Sequence, residues 1–385
     1  MPTDHPMPMP LDFLVSRDDL SKHVSVPGVV NDGTPLAHGQ VLFGVDEFAL
    51  TSNNITYAML GDAMHYWRFF PAEPGWGRIP VWGFGRVLRS ASSGIAEGQR
   101  FFGFFPMSTH VVLTPARRSA ADFVDGALHR QSLNPAYNRY FAAEVDPFYE
   151  ARREAEMMLL RPLFALSFLA DDFFDYADFF GARHVVLSSA SSKTAYGIAF
   201  LIARRRKVGV IGLTSQANRD FVAGLGCYDD VLSYHELERL PDQPVVYIDI
   251  AGNNELRRGV HRRCGAHLKY SCAIGLTHRG DLVGAGNGHS DPELVGPQPV
   301  FFFAPTQMKQ RTSDWGAAGL QQRMVAAWHD FMDAIAGDGT PWLNIVHVYG
   351  QVAVGQVFDE MVAGRTQPAV GHVLSLGEQR PPSAH

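Results

Sequence analysis

From about residue 151 onward, short apolar runs of strand length alternate with segments of helix length, and this alternation constrains the fold more than any other feature. Residues 185–187, 208–212, 245–249 and 273–276 read as buried strands, with helices over 195–204 and 216–225. Strands that are apolar on both faces and separated by helices belong to a covered parallel sheet, because each parallel pair needs a long crossover. The pattern therefore predicts an α/β domain with a doubly wound parallel sheet. Before about residue 115 the runs are of a different kind. Segments 39–45 and 82–87 are β-type and punctuated by Gly and Pro, which predicts a small barrel or sandwich. Residues 117–150 mix turn formers with aromatics, show no period, and are expected to form an irregular insertion. At 385 residues the chain exceeds the size at which one hydrophobic core stops growing, so two domains are expected.

Composition narrows the partners. A formal charge of -6 argues against nucleic acid, whose binding rests on Lys and Arg releasing counterions. No apolar run approaches the roughly 20 residues that span a bilayer, so no membrane partner is expected. The start of the chain has no basic cluster followed by an apolar stretch, and reads as neither a secretory signal nor a transit peptide. Three cysteines, Cys227, Cys264 and Cys272, are too few and too odd in number for a disulfide framework. A reducing, cytoplasmic setting and a small-molecule partner are the expectation.

In an open α/β sheet, ligands sit outside the carboxyl ends of the strands, with phosphates at the start of the first crossover helix. Here that turn runs Ser188, Ser189, Ala190, Ser191, Ser192, Lys193, Thr194, Ala195. The usual glycine spacing falls on Ser189, Ser192 and Ala195, all small and none glycine. Small residues still admit a close backbone approach. The hydroxyls of Ser189, Ser192 and Thr194 can donate to phosphate oxygens, and Lys193 adds charge. The same residues also suit a plain capped helix. At the end of the second strand an NAD-preferring site places an acid for the ribose diol. This chain instead has Leu213, Thr214 and Ser215, with Arg219 following, so nothing there repels a 2′-phosphate. Thr214 and Ser215 equally suit a helix cap.

With these residues in view, the chain from about 30 to 375 resembles the medium-chain dehydrogenase/reductase superfamily, in its zinc-free quinone oxidoreductase and enoyl reductase branch. It looks most like a member family without a known function. The likeness rests on segments in a shared order. Ile79, Pro80 and Gly83 precede a barrel strand; Gly98, Gln99, Arg100 and Gly103 resemble a Gly-Asp-Arg-Val-x-Gly turn; Leu225, Gly226 and Cys227 form a Leu-Gly-Cys step. Near the end, Gly364 and Arg365 close a helix before a last barrel strand at 370–374. The resemblance implies a GroES-like β-barrel domain over 1–150, a Rossmann domain over 151–330 and a return to the barrel over 331–385. It implies NADP(H) as cofactor, its 2′-phosphate held by Arg219 and Tyr234. The chain departs from the family in its glycine-free nucleotide loop and in the segment near 117–150.

Zinc-dependent members of that superfamily carry a His-Glu pair in the barrel, where this chain has Val81 and Trp82. Cys264 and Cys272 lack histidines at ligand spacing, so no metal is expected. The basic run Arg204, Arg205, Arg206, Lys207 falls at a helix end, where cations offset the macrodipole, and reads as a solvated face. Asp171, Asp172 and Asp175 read as a helix surface. Aromatics gather at Tyr57, Tyr66, Trp67, Phe69, Phe70 and Trp76, part core and part wall of a pocket for a bulky apolar substrate.

The resulting expectation is a zinc-independent, NADP(H)-dependent oxidoreductase reducing a carbonyl or activated C=C bond. Developing negative charge must then meet hydrogen-bond donors, and Asn53, Asn54, Tyr57 and Tyr66 are available. Resembling enoyl reductases use a Tyr just after an Asn-x-x-Asp-Ile-like stretch and a Gly; with Asn54-Ile55 and Gly61 here, the resemblance implies Tyr66 as first choice for proton donor and Tyr57, inside the stretch, as second. Two alternatives stay open: an NADP(H)-binding sensor or assembly subunit with little catalysis, and a redox-neutral isomerisation. In similar dimers the strand at Phe301, Phe302 and Phe303 lies at the Rossmann sheet edge, so the resemblance implies a homodimer joined there, which would cover an apolar edge.

Overall fold

The computed structural model describes residues 9–117, 119–274, 294–337 and 341–378. The chain divides into two compact units, Met1–Leu159 with Asn344–His385, and Leu160–Leu343.

The first unit is a β-structure. Its strands are β1 (Leu11–Ser16), β2 (His23–Pro27), β3 (Val41–Leu50), β4 (Trp76–Gly77), β5 (Pro80–Ser90), β6 (Arg100–Pro106), β7 (His110–Leu113), β8 (Pro115–Arg117), β9 (Asp122–Asp125) and β10 (Arg139–Ala142). Helix α1 (Ser52–Met59) follows β3. The segment expected to be irregular is ordered instead: β8 pairs with β9, β9 with β10, and β10 with β6, all antiparallel. Strands of three or four residues are too short to show a period of two in sequence. The extension is anchored by Tyr140, whose hydroxyl donates to Phe104 O at 2.6 Å. Gly103 makes room for it, since a Cβ there would lie 2.4 Å from the Tyr140 ring. Behind it Arg130, 2 % exposed, pairs with the equally buried Asp125 at 3.1 Å.

The second unit holds a six-stranded parallel sheet: β11 (His184–Leu187), β12 (Gly209–Thr214), β13 (Asp230–Ser233), β14 (Val245–Asp249), β15 (Leu268–Ala273) and β16 (Val300–Phe301). Their order is β13-β12-β11-β14-β15-β16. Renumbered from β11 this is 3-2-1-4-5-6, the doubly wound dinucleotide-binding order, with its reversal point beside β11. Val186, Leu213, Leu232, Val245, Tyr247 and Val260 form its core. Helices α2 (Glu154–Tyr176), α3 (Lys193–Arg205), α4 (Arg219–Gly224) and α5 (Asn254–Cys264) accompany the strands, with a long helix at Ala304–Ala336. The strand expected at 273–276 begins earlier, at Leu268; Gly275 and Leu276 lie outside the described residues. The mixed polarity of Leu268–Ala273 hid it.

Asp171 and Asp172 are not a helix surface. They are 3 % and 8 % exposed, and buried carboxylates need partners. Arg205 grips Asp171 through two hydrogen bonds of 2.8 Å, and Arg311 reaches Asp172 at 2.5 Å. Arg205 and Lys207 also bind Asp175, each at 2.6 Å. The acidic cluster and two members of the basic run, Arg205 and Lys207, are therefore one ion-pair network, which sequence spacing alone does not reveal.

The chain ends in the first unit with β17 (Asn344–Tyr349) and β18 (Val370–Ser375), which pair in parallel, while β18 lies antiparallel to β3. The helix Gln351–Val362 between them packs Val354, Phe358 and Met361 into a core with Phe13 and Leu374.

Candidate functional site

Two groups of polar residues stand out, one in each unit. In the second unit, β11 turns through residues 188–192 into α3. Ser188 is fully buried; its hydroxyl donates to Asp249 at 3.0 Å and accepts from the amides of Ile250 and Ala251. Asp249 also accepts from Arg257 at 2.7 Å. This network ties the carboxyl ends of β11 and β14 together. Ser189 then takes a left-handed conformation (φ 49°) and its carbonyl accepts from Ser192 N at 2.8 Å. The loop thus keeps a turn that favours glycine without having one. Ser192 caps α3, accepting from Ala195 N. Gly212 in β12 permits the approach of Ala190, since a Cβ there would lie 2.9 Å from that methyl.

Lys193 opens α3 and is half-buried. It has no hydrogen-bond or ion-pair partner among the described residues. Desolvation pushes its ammonium down to about 8, and the helix N-terminus it sits on is itself positive. An anion would relieve both penalties. Thr194 follows in the same first turn. At the end of β12 the hydroxyl of Thr214 is buried without a partner, while its carbonyl accepts from Tyr234 N at 2.9 Å. Ser215 leads into a short turn in which Asn218 donates to Ser191 at 3.3 Å. Arg219 then starts α4. Because β13, β12 and β11 are adjacent and parallel, the structure gathers Ser189, Ser192, Lys193, Thr194, Thr214, Ser215, Arg219 and Tyr234 at one carboxyl edge.

One residue of this edge escaped the sequence reading. Glu236 accepts from Ser233 N at 2.9 Å, pairs with Arg239 at 2.8 Å and with Arg219 at 3.2 Å. The Ser233 amide and the Arg239 guanidinium hold its carboxyl down to about 2. Its signal in the sequence is the Ser-x-x-Glu spacing from Ser233, a capping pattern. The edge therefore does carry an acid, set against the arginine expected to bind phosphate.

The second group lies in the first unit. The rings of Tyr57 and Tyr66 stand 4.5 Å apart, with Tyr137 at 5.8 and 5.5 Å from them and Trp82 at 6.1 Å from Tyr137. Tyr57 and Tyr66 are buried, and desolvation raises both phenols above their ordinary value. The Tyr57 hydroxyl accepts from Asn53 Nδ2 at 2.7 Å, and the Tyr66 hydroxyl donates to that of Tyr137 at 3.3 Å. The indole Nε1 of Trp82 is buried without a partner. Asn54 is committed elsewhere: its oxygen accepts from Thr51 N at 2.8 Å and its Nδ2 donates to Pro80 O at 3.0 Å, fixing α1 to β5. Tyr137 and Trp82 were not among the expected site residues. Tyr137 comes from the segment without periodicity, and Trp82 stands out in sequence only as a residue in place of a metal ligand.

Among the described residues, no group of three His, Cys, Asp or Glu is placed to hold a metal ion. The three cysteines are buried and unpaired, and burial pushes the Cys264 thiol up to about 11, which disfavours a thiolate ligand.

Comparison with known proteins fits this geometry. The structure is similar to the quinone oxidoreductase from Coxiella burnetii, with 14% identity, 95% of this chain and 99% of that chain covered, and a TM-score of 0.52. It is similar to CurA in complex with NADPH from Vibrio vulnificus, with 12% identity, coverage of 96% and 100%, and a TM-score of 0.56. It is also similar to the yhdH oxidoreductase from Salmonella enterica in complex with NADP, with 15% identity, coverage of 95% and 99%, and a TM-score of 0.50. At such identities the likeness is one of fold. That fold is a Rossmann sheet plus a GroES-like barrel. No curated protein matches the chain in sequence. The chain belongs to the family described as "Protein of unknown function (DUF2855)", which matches residues 48–367.

Proposed function

We propose that this chain is a zinc-independent, NADP(H)-dependent reductase of a carbonyl or activated C=C bond in a bulky apolar substrate. The observation that carries the proposal is the unpartnered Lys193 ammonium at the reversal point of a doubly wound sheet, beside the orphaned Thr214 hydroxyl. Both fit an anionic dinucleotide. In this reading Ser189, Ser192, Lys193 and Thr194 hold the diphosphate; Thr214, Ser215, Arg219 and Tyr234 hold the adenosine ribose and its 2′-phosphate. NADP(H), when bound, supplies the hydride. What this chain supplies is hydrogen-bond donors for the oxygen on which charge develops. The Tyr57 oxygen accepts from Asn53, so its O–H is the end that can donate, and the Tyr66 hydroxyl is oriented by Tyr137. Asn54 acts by positioning α1. The zinc-independent chemistry is supported by Val81 and Trp82 standing where the zinc-dependent class has ligands.

Fluorescence titration with NADPH and NADH, followed by turnover on a panel of enones, quinones and ketones, tests the proposal. Preference for NADPH with turnover of at least one class supports it. Equal affinity for both cofactors overturns the assignment of Arg219 and Tyr234, and binding without any turnover favours a sensor or assembly subunit.

A homodimer belongs to the same proposal. β16 ends the sheet, and Val300 within it and Phe303 just after it are 49 % and 58 % exposed, an apolar edge that invites pairing. Light scattering on dilute protein should give twice the chain mass; a monomer removes the argument. No helix among the described residues is long and apolar enough to cross a membrane, and three buried free thiols suit a reducing cytoplasm.

A further inference from the structure

The amino ends of β11, β12 and β13 form the end of the parallel sheet opposite the serine-rich loop. A cavity of about 690 Å³ opens there, with Arg183, Arg206, Lys207 and Arg239 in its wall. Small-molecule pockets commonly span about 300–1,000 Å³. Two of the four cations are already answered by acids: Lys207 by Asp175 at 2.6 Å, and Arg239 by Glu236 at 2.8 Å and Asp230 at 3.7 Å. The cavity's own acids are occupied as well. Asp229 accepts from Val210 N at 2.7 Å, and Asp230 from Val231 N at 2.8 Å. Arg183 and Arg206 have no carboxylate partner among the described residues. Of the basic run 204–207, Arg206 is thus the member that the ion pairs leave out, since Arg204 pairs with Asp330 and Arg205 with Asp171.

Two further observations bear on the same wall. Arg206 closes α3 in the left-handed conformation (φ 53°), its N–H bonded to Ala203 O, so the helix end fixes the point from which its side chain leaves. The Nδ1 of His184 is buried without a partner, where buried polar groups are ordinarily paired. We propose that this cavity binds a phosphorylated small molecule of nucleoside-monophosphate size, its phosphate gripped by Arg183 and Arg206. Two uncompensated guanidinium groups match a phosphate of charge near −2 better than a single carboxylate, and their planar forks suit its oxygens. The site is separate from the carboxyl edge and does not depend on the reading given to it.

Calorimetric titration of the full chain with AMP tests this, using parent, Arg183→Gln/Arg206→Gln and Lys193→Met/Arg219→Ala proteins. AMP should occupy a class of site in the parent that weakens about tenfold or more in the first double variant and not in the second; any class lost in the second variant only belongs to the carboxyl edge. Adenosine should not bind the first class, whereas inorganic phosphate should compete there. The His184 ring resonances should shift on AMP addition in the parent, a readout independent of any variant's folding. A single class of site lost in Lys193→Met/Arg219→Ala, or an isotherm unmoved by Arg183→Gln/Arg206→Gln, overturns the proposal.

Discussion

The serine-rich edge of the second unit and the aromatic group of the first handle polarity in opposite ways. At the edge, the innermost polar groups are tied into the protein: Ser188 to Asp249, Ser192 to Ala195, Glu236 to Arg219 and Arg239. What is left desolvated without a partner among the described residues is the Lys193 ammonium and the Thr214 hydroxyl. In the aromatic group the polar atoms are few, neutral and surrounded by rings, and what is left over is a donor, the Trp82 indole N–H. A leftover cation calls for a charged ligand and gives affinity. Leftover neutral donors in a desolvated wall favour charge that develops during a reaction, because desolvation holds the phenols protonated. On the proposed reading binding belongs to one region and chemistry to the other, and variants that move the wrong parameter break it.

The largest effect is expected in the aromatic group. Tyr57→Phe keeps the ring and removes only the O–H, so kcat should fall about 10²-fold or more with NADPH affinity unchanged. Tyr66→Phe should fall as far if its hydroxyl is the donor, and only about tenfold if it orients Tyr137. Both phenols lie above their ordinary value, so their ionisation should not reduce the rate below about pH 10. Steady-state kinetics with a turned-over substrate decides; parental rates in both variants would move the proton source to solvent or the cofactor ribose.

At the edge the expected change is in affinity. Arg219→Ala should weaken NADPH binding by about one to two decades while leaving NADH nearly unchanged, the loss of a charge-assisted bond to the 2′-phosphate. Glu236 sharpens this test. As an ionised acid paired with Arg219, it competes with the phosphate for that guanidinium. Glu236→Gln keeps an acceptor for Ser233 N and removes the charge, so NADPH should bind about three- to tenfold more tightly, with NADH little affected. Weaker NADPH binding in Glu236→Gln would mean that the carboxylate is needed to position Arg219.

The two regions also differ in how far they could be read from sequence. The parallel sheet follows from strands apolar on both faces, and the edge residues from their places just after β11, β12 and β13, so topology converts sequence position into proximity. Even there Glu236 was missed, because its partner Arg219 stands seventeen residues earlier on another element. The aromatic group draws Tyr57 from α1, Trp82 from β5 and Tyr137 from a turn beyond β9. No periodicity relates three such places. The same holds for the ion pairs of Asp171 and Asp172, which bring together helices separated by more than a hundred residues at Arg311. Local pattern reports which face of an element is buried; it does not report which buried polar groups meet.

Lys193 gives a smaller effect with a definite sign. Its folded value of about 8 lies below the ordinary lysine value of 10.5, so the folded ligand-free chain releases this proton more readily than the unfolded chain. Its burden on stability is full below about pH 8 and is lifted as pH rises from 8 towards 10.5. A bound phosphate reverses the preference by favouring the charged form. NADPH affinity should therefore fall as pH rises through about 8, and Lys193→Met should remove that dependence. The variant should bind NADPH about tenfold more weakly at pH 7 yet melt higher than the parent without ligand. A ligand-free melting temperature below the parental one would show that the ammonium has a partner in solution.

The smallest expected effect concerns the glycine-free turn. Ser189 sits at φ 49°, where a side chain with a Cβ costs about 1 kcal/mol or somewhat more. Glycine would remove that strain but add unfolded-state entropy of about 0.5–1 kcal/mol, so Ser189→Gly should stabilise the chain by at most about 1 kcal/mol. Ser189→Ala keeps the strain and removes only the hydroxyl, so its stability should equal the parent's. Comparing the two variants separates backbone from side chain. If the hydroxyl reaches a phosphate, both should bind NADPH a few-fold more weakly, by about 0.5–1.5 kcal/mol for a lost neutral hydrogen bond. If only the backbone amides serve, both should bind as the parent does, and the serine is then a residue tolerated at a position whose geometry suits glycine.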